Sequence, residues 1–110
     1  MKRYCLTLDL IDDDSLIAEY EAHHRKVWPE IQESITSSGI QQMEIYRFKN
    51  RLFMIVDVSD DFSFDKKAGM DANNAKVQEW ETLMWKYQQA LPGSKEGEKW
   101  MLMDSIFRLK

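Results

Sequence analysis

Between Glu19 and Glu30 the chain reads Glu-Tyr-Glu-Ala-His-His-Arg-Lys-Val-Trp-Pro-Glu, a stretch holding both of its histidines and one of its two prolines. On a helix, Tyr20, His24 and Trp28 recur every four residues, about 6 Å of rise per step, and share one face. A phenol, an imidazole and an indole along one face can grip a small polar ligand and move protons on it. Imidazole titrates near neutrality, so His24 can give or take a proton at cellular pH. The plainer reading of His24 is a helix histidine with a satisfied hydrogen bond. His23 points roughly 100° away around the helix, and the inward neighbours Leu16, Ile17 and Tyr20 select His24 of the pair. Tyr20 reads equally as a core aromatic whose hydroxyl reaches the edge or as a donor to a ligand oxygen.

Four tryptophans, Trp28, Trp80, Trp85 and Trp100, are many for a chain of 110 residues. At least two are expected to be packing. Indole rings also suit the C–H faces of sugars, so a pocket with such walls and a few polar groups is a reasonable carbohydrate site. The seven methionines are scattered over strand and helix positions, which suits core filling better than copper. Two adjacent histidines without a cysteine or carboxylate at ligand spacing are a poor zinc signature. The chain has no glycine-rich phosphate loop, no cofactor fingerprint and no defensible Ser/His/Asp order. The chemistry expected is proton transfer alone, with no metal and no cofactor.

The elements that must position these groups follow from composition and pattern. A length of 110 residues suits one domain over residues 1–110, with 44% hydrophobic and 31% charged residues. A net charge of -4 with interspersed signs offers no reason to expect nucleic acid or an anionic membrane as partner. The single cysteine, Cys5, cannot form an internal disulfide and reads as a core residue of an apolar strand. No secretory apolar region or bilayer-length window stands out, so the expectation is a soluble, cytoplasmic protein.

Arg3 to Leu10 reads as a first strand, and Asp12 to Asp14 offer caps for a helix from Ser15 to about Lys26. Pro29 breaks that helix and starts a second segment, which Gly39 ends in a left-handed cap. Ile40 to Phe48 and Leu52 to Val58 form a hairpin around Lys49-Asn50-Arg51. Asp60 to Asn74 reads as a short, loosely defined helix. Val77, Trp80, Met84 and Tyr87 space a long helix closed by Leu91-Pro92-Gly93, and a polar loop, Ser94 to Glu98, leads to a last strand from Trp100 to Leu109. Strand, helix, strand, strand, helix, strand is the ferredoxin-like α+β order, βαββαβ. Its strands carry large apolar groups on both sides, with Met43 and Ile45 set against Tyr46 and Phe48. That pattern predicts a homodimer packed sheet to sheet, the alternative being a second face that lines a pocket.

Tyr20-x-x-x-His24-x-x-x-Trp28-Pro29-Glu30, Gly39 followed by a strand ending Ile45-Tyr46, the Val77-Gln78-Glu79-Trp80 helix and the closing Ile106-Phe107 resemble the L-rhamnose mutarotase family over nearly the whole chain. The resemblance implies a ferredoxin-like fold that dimerises into an α/β barrel and interconverts the α and β anomers of a 6-deoxy monosaccharide without a cofactor. It sets His24 on the family's proton-donor position and Tyr20 on a substrate-binding position. Trp80 matches the first residue of a sugar-contacting Trp-Trp pair. The second is Glu81 here, and Met43 replaces a substrate-binding tyrosine. Both changes fall on the sugar pocket, to which Trp28 is a further candidate wall. Trp80-Glu81 and the tail Pro92-Gly93…Gly97-Glu98-Lys99-Trp100 resemble a branch associated with L-fucose. Rival readings for the same fold are a cofactor-free monooxygenase and a sugar-binding module without turnover.

Overall fold

The structure, a computed structural model, describes residues 2–95 and 98–109. Strand β1 (Lys2–Leu10) buries Leu6, Leu8 and Leu10 on one side, as period-two alternation requires. Helix α1 (Asp14–His24) starts where the Asp13 carboxylate accepts the Leu16 N–H at 3.0 Å. It stops at His24, short of Lys26. Trp28, preceding Pro29, takes φ −58° and ψ 138°, the extended conformation that proline imposes on its predecessor. Helix α2 (Pro29–Ser37) then restarts with proline in its first turn. Gly39, at φ +102°, turns the chain into β2 (Ile40–Phe48), and a Cβ at that position would lie 2.8 Å from Ser59 Oγ. The hairpin to β3 (Arg51–Val58) passes through Lys49 at φ 53°. Helices α3 (Phe64–Ala72) and α4 (Ala75–Trp85) follow, capped by Ser63 and Asn74.

With β4 at Gln88–Gln89, the antiparallel strand order is β2-β3-β1-β4, the ferredoxin-like arrangement. One sheet face carries the core: Leu10 and Leu52 pack with Ile17, Tyr20, Met84 and Tyr87, while Leu6, Ile40, Met54, Val56 and Val58 form a second cluster beside Ile35 and Met43.

The fourth strand departs from expectation. Its place beside β1 is shared by two short pieces, β4 (Gln88–Gln89) against Asp9–Leu10 and β5 (Met101–Leu102) against Leu6–Thr7. The reason is that α4 ends before Tyr87. The Tyr87 carbonyl accepts the Ile11 N–H at 2.8 Å, so the chain joins the sheet at once and occupies one end of the β1 edge. The returning segment can pair only further along. After Met103, whose N–H donates to the Cys5 carbonyl at 2.8 Å, the expected strand does not continue. Ile106, Phe107 and Leu109 are 94%, 77% and 90% exposed.

Among the described residues no helix packs over the other sheet face. Two cross-strand pairs frame it: Arg3 Nε meets Asp57 Oδ1, and Arg51 Nε meets Asp9 Oδ1, both at 2.7 Å and both forked through a second nitrogen. Cys5, expected in the core, lies on this face and is half-buried, because strand alternation sends it opposite to Leu6. Tyr46 and Phe48 stand exposed there.

Candidate active site

A cavity of about 420 Å³ lies between the core face of the sheet and the helices, within the ~300–1,000 Å³ typical of small-molecule sites. Met43, Ile45, Met54 and Val56 form its apolar floor. Tyr20, His24, Trp80, Glu81, Gln88 and Trp100 contribute to its walls. Five of the six residues singled out from sequence therefore meet in one place.

His24 Nδ1 lies 2.9 Å from the Tyr20 carbonyl, one turn back in α1. A carbonyl only accepts, so Nδ1 holds the proton and the neutral ring keeps its lone pair on Nε2. Burial lowers the His24 pKa below its ordinary 6.5, only partly offset by the bond to Tyr20, with His23 lowering it further. His24 is therefore neutral at pH 7, a base ready to accept. The sign for stability follows. Below pH 6.5 the unfolded chain gains a proton that the folded chain refuses, so stability falls with pH from there down to the depressed folded value. The kcat/KM profile of an activity that uses neutral His24 should be flat through neutrality, with its acid limb below pH 6.5. An acid limb above that value would contradict the assignment.

Tyr20 is 3% exposed, and its ring centroid is 4.4 Å from that of His24. Its hydroxyl accepts from Gln88 Nε2 at 3.4 Å, which leaves the phenolic proton to donate. Burial raises the Tyr20 pKa, so that proton stays in place. Trp80 sits 5.8 Å from His24 and edge-on to Trp28 at 5.1 Å. Trp28 itself does not line the cavity. With α1 ended at His24, Trp28 becomes the N-cap residue of α2, backing Trp80 under the Lys76 ammonium, 5.7 Å from its ring. Glu81 faces Lys99 Nζ at 3.8 Å, and Lys99 also lies 5.3 Å over the Trp85 ring. Gly97, part of the tail quoted above, is outside the described residues.

Several groups escaped the sequence reading. Gln88 read as the end of a helix rather than a strand position. Lys99 read only as part of the tail that resembles the L-fucose branch, with no place in the pocket. Lys67 and Asp71, also on the cavity wall, show one detectable signal, their four-residue spacing. His23 Nε2 is 3.2 Å from Tyr87 Oη, which donates to Glu19 Oε1 at 3.1 Å. This chain holds His23 away from the cavity. Among the described residues no three His, Cys, Asp or Glu side chains are placed to hold a metal ion. No described helix is long and apolar enough to cross a membrane.

A ferredoxin-like α+β sheet roofed by helices, with a neutral histidine in an aromatic-walled cavity, defines the class: an α+β domain with a pocket of small-molecule size. The family model described as L-rhamnose mutarotase matches residues 3–109. The L-fucose mutarotase of Xanthomonas campestris pv. campestris is 48% identical, over 99% of this chain and 89% of its own length. An L-rhamnose mutarotase of Shigella flexneri is 30% identical, over 63% of this chain and 61% of its own. The crystal structure of an L-rhamnose mutarotase from Formosa agariphila superposes with a TM-score of 0.73 over the full length of both chains, at 21% identity. The chain belongs to the L-rhamnose mutarotase family, a family of aldose anomerases.

Proposed function

We propose that this protein is a cofactor-free mutarotase of a 6-deoxyhexose, L-fucose ahead of L-rhamnose, with His24 as its proton carrier. The observation that carries the reading is the bond from His24 Nδ1 to the Tyr20 carbonyl, which leaves Nε2 as the basic atom in an aromatic-walled cavity. In the ring-opening step Nε2 takes the proton of the anomeric hydroxyl, the bond from C1 to the ring oxygen breaks, and C1 and O1 become an aldehyde. Both oxygens are bonded to C1, so the same imidazolium returns the proton to the former ring oxygen. Rotation about C1–C2 and the reverse sequence close the other anomer. No proton is gained or lost, and no electron leaves the sugar. Tyr20 serves as a hydrogen-bond donor to the sugar and Trp80 as an apolar platform, with Glu81 and Met43 shaping the pocket. L-fucose takes precedence because the 48% relative spans nearly the whole chain.

The acting species in this reading is a cytoplasmic homodimer closed through the bare sheet face. Exposed Tyr46 and Phe48, and a tail ending in exposed Ile106, Phe107 and Leu109, support it. Such apolar surface is characteristic of an interface. Saturating one anomeric proton of L-fucose, then of L-rhamnose, in the presence of catalytic protein should transfer saturation to the other anomer, faster for L-fucose. Sedimentation should return twice the 13.1 kDa chain mass. Absence of accelerated exchange with both sugars, from folded protein, would leave the monooxygenase or binding-module readings. A monomer mass would end the dimer.

A further inference from the structure

Helix α3 brings to the cavity wall a charged pair that the proton-transfer chemistry leaves unused. Lys67 Nζ and Asp71 Oδ2 are 2.6 Å apart, with side chains only 22% and 15% exposed, one helical turn from each other. Both residues line the same cavity as His24 and Tyr20. The pair sits on a helix that has no buried residue. Each head group is underused. An ammonium offers three donors and a carboxylate about four acceptor sites, and the bond between them is the one their head groups make among the described residues. A donor and an acceptor held side by side at the rim of a cavity match two adjacent hydroxyls on a pyranose ring. One hydroxyl can donate to the free carboxylate oxygen while its neighbour accepts from the ammonium.

We propose that Lys67 and Asp71 bind a vicinal diol of the sugar, at ring carbons other than C1, and set its orientation toward His24. This rests on the mutarotase reading for its choice of ligand. A mutarotase must hold both anomers, which differ only at C1. Contacts to hydroxyls that the reaction leaves untouched hold reactant and product alike, so they act on binding and not on the chemical step.

The test is an NMR titration of the full-length protein with L-fucose and with its 3-deoxy and 4-deoxy analogues, for wild type, Asp71→Asn and Lys67→Met. Anomer exchange is measured on the same samples, and circular dichroism confirms that each variant is folded. Loss of one charge-assisted hydrogen bond should weaken L-fucose binding, and raise KM, about 10- to 100-fold. The value of kcat should hold within about threefold. Wild type should bind at least one deoxy analogue more weakly than L-fucose, and the variants should have lost that discrimination. Variants with unchanged affinity, or with the deoxy penalty intact, overturn the proposal. Asp71→Asn keeps the side-chain shape and decides the matter should Lys67→Met fail to fold. Sugar binding by the wild type without accelerated exchange would refute the mutarotase reading and leave the diol test in force. A wild-type chain that binds none of these sugars overturns both.

Discussion

His24→Ala should slow anomer exchange by about 10²- to 10⁴-fold in kcat, the usual worth of a positioned acid-base group, while the protein remains folded. In the proposed mechanism both proton movements, off O1 and onto the ring oxygen, pass through the His24 imidazole, and no second imidazole faces the cavity, because His23 is held by Tyr87. The structural loss is small. His24 is half-buried at the last turn of α1, and a single neutral hydrogen bond contributes about 1 kcal/mol. Saturation transfer with L-fucose measures the rate, and circular dichroism checks the fold. Substrate affinity should change far less than kcat, since the ring is required chiefly in the transition state. A variant as active as wild type would remove His24 from the mechanism.

Leu10→Ala should destabilise the chain by about 2–5 kcal/mol, toward the upper end, out of a total on the order of 5–15. Leu10 has no exposure and packs with Ile17, Tyr20, Leu52, Met84 and Tyr87. Its backbone is fixed on both sides: the N–H donates to the Asn50 carbonyl at 2.6 Å, and its carbonyl accepts from Asn50 Nδ2 at 3.1 Å. The strand therefore cannot sink into the space the side chain leaves, so the void persists. Thermal unfolding followed by circular dichroism should show a fall in Tm on the order of 10–20 °C. A shift of only a few degrees would mean that the cluster beneath Tyr20 repacks freely.

Much of this arrangement was legible in local pattern. Strand alternation put Met43 and Ile45 on the face opposite Tyr46 and Phe48, and Pro29 announced the break between α1 and α2. The cluster of Tyr20, His24, Trp80, Glu81 and Met43 followed from helix spacing and family resemblance together. What failed depends on non-local pairing. Trp100 to Leu109 has every mark of a strand, yet β1 had already given part of its edge to Gln88–Gln89. Nothing within either segment reports which will reach that edge. Trp28 shows the same limit: four-residue spacing places it with His24 only while a helix connects them, and the helix ends at His24. Lys67 and Asp71 were lost because a polar nine-residue helix with no buried positions carries no hydrophobic periodicity to mark its inner side.

That absence of buried positions in α3 has a thermodynamic consequence. The helix is secured by the Ser63 cap on Lys66, by Phe64 against Tyr4 and Phe62, and by Gln78 Nε2 donating to the Asp71 carbonyl at 2.9 Å. None of the buried members of the two core clusters lies on it. Its opening free energy accordingly sits near the bottom of the molecule's range, well below that of β1 and β3. The amides of α3 are set to exchange with solvent without global unfolding. One wall of the cavity thus belongs to a separate, weakly cooperative unit, while the Met54 and Val56 part of its floor belongs to the more protected β3.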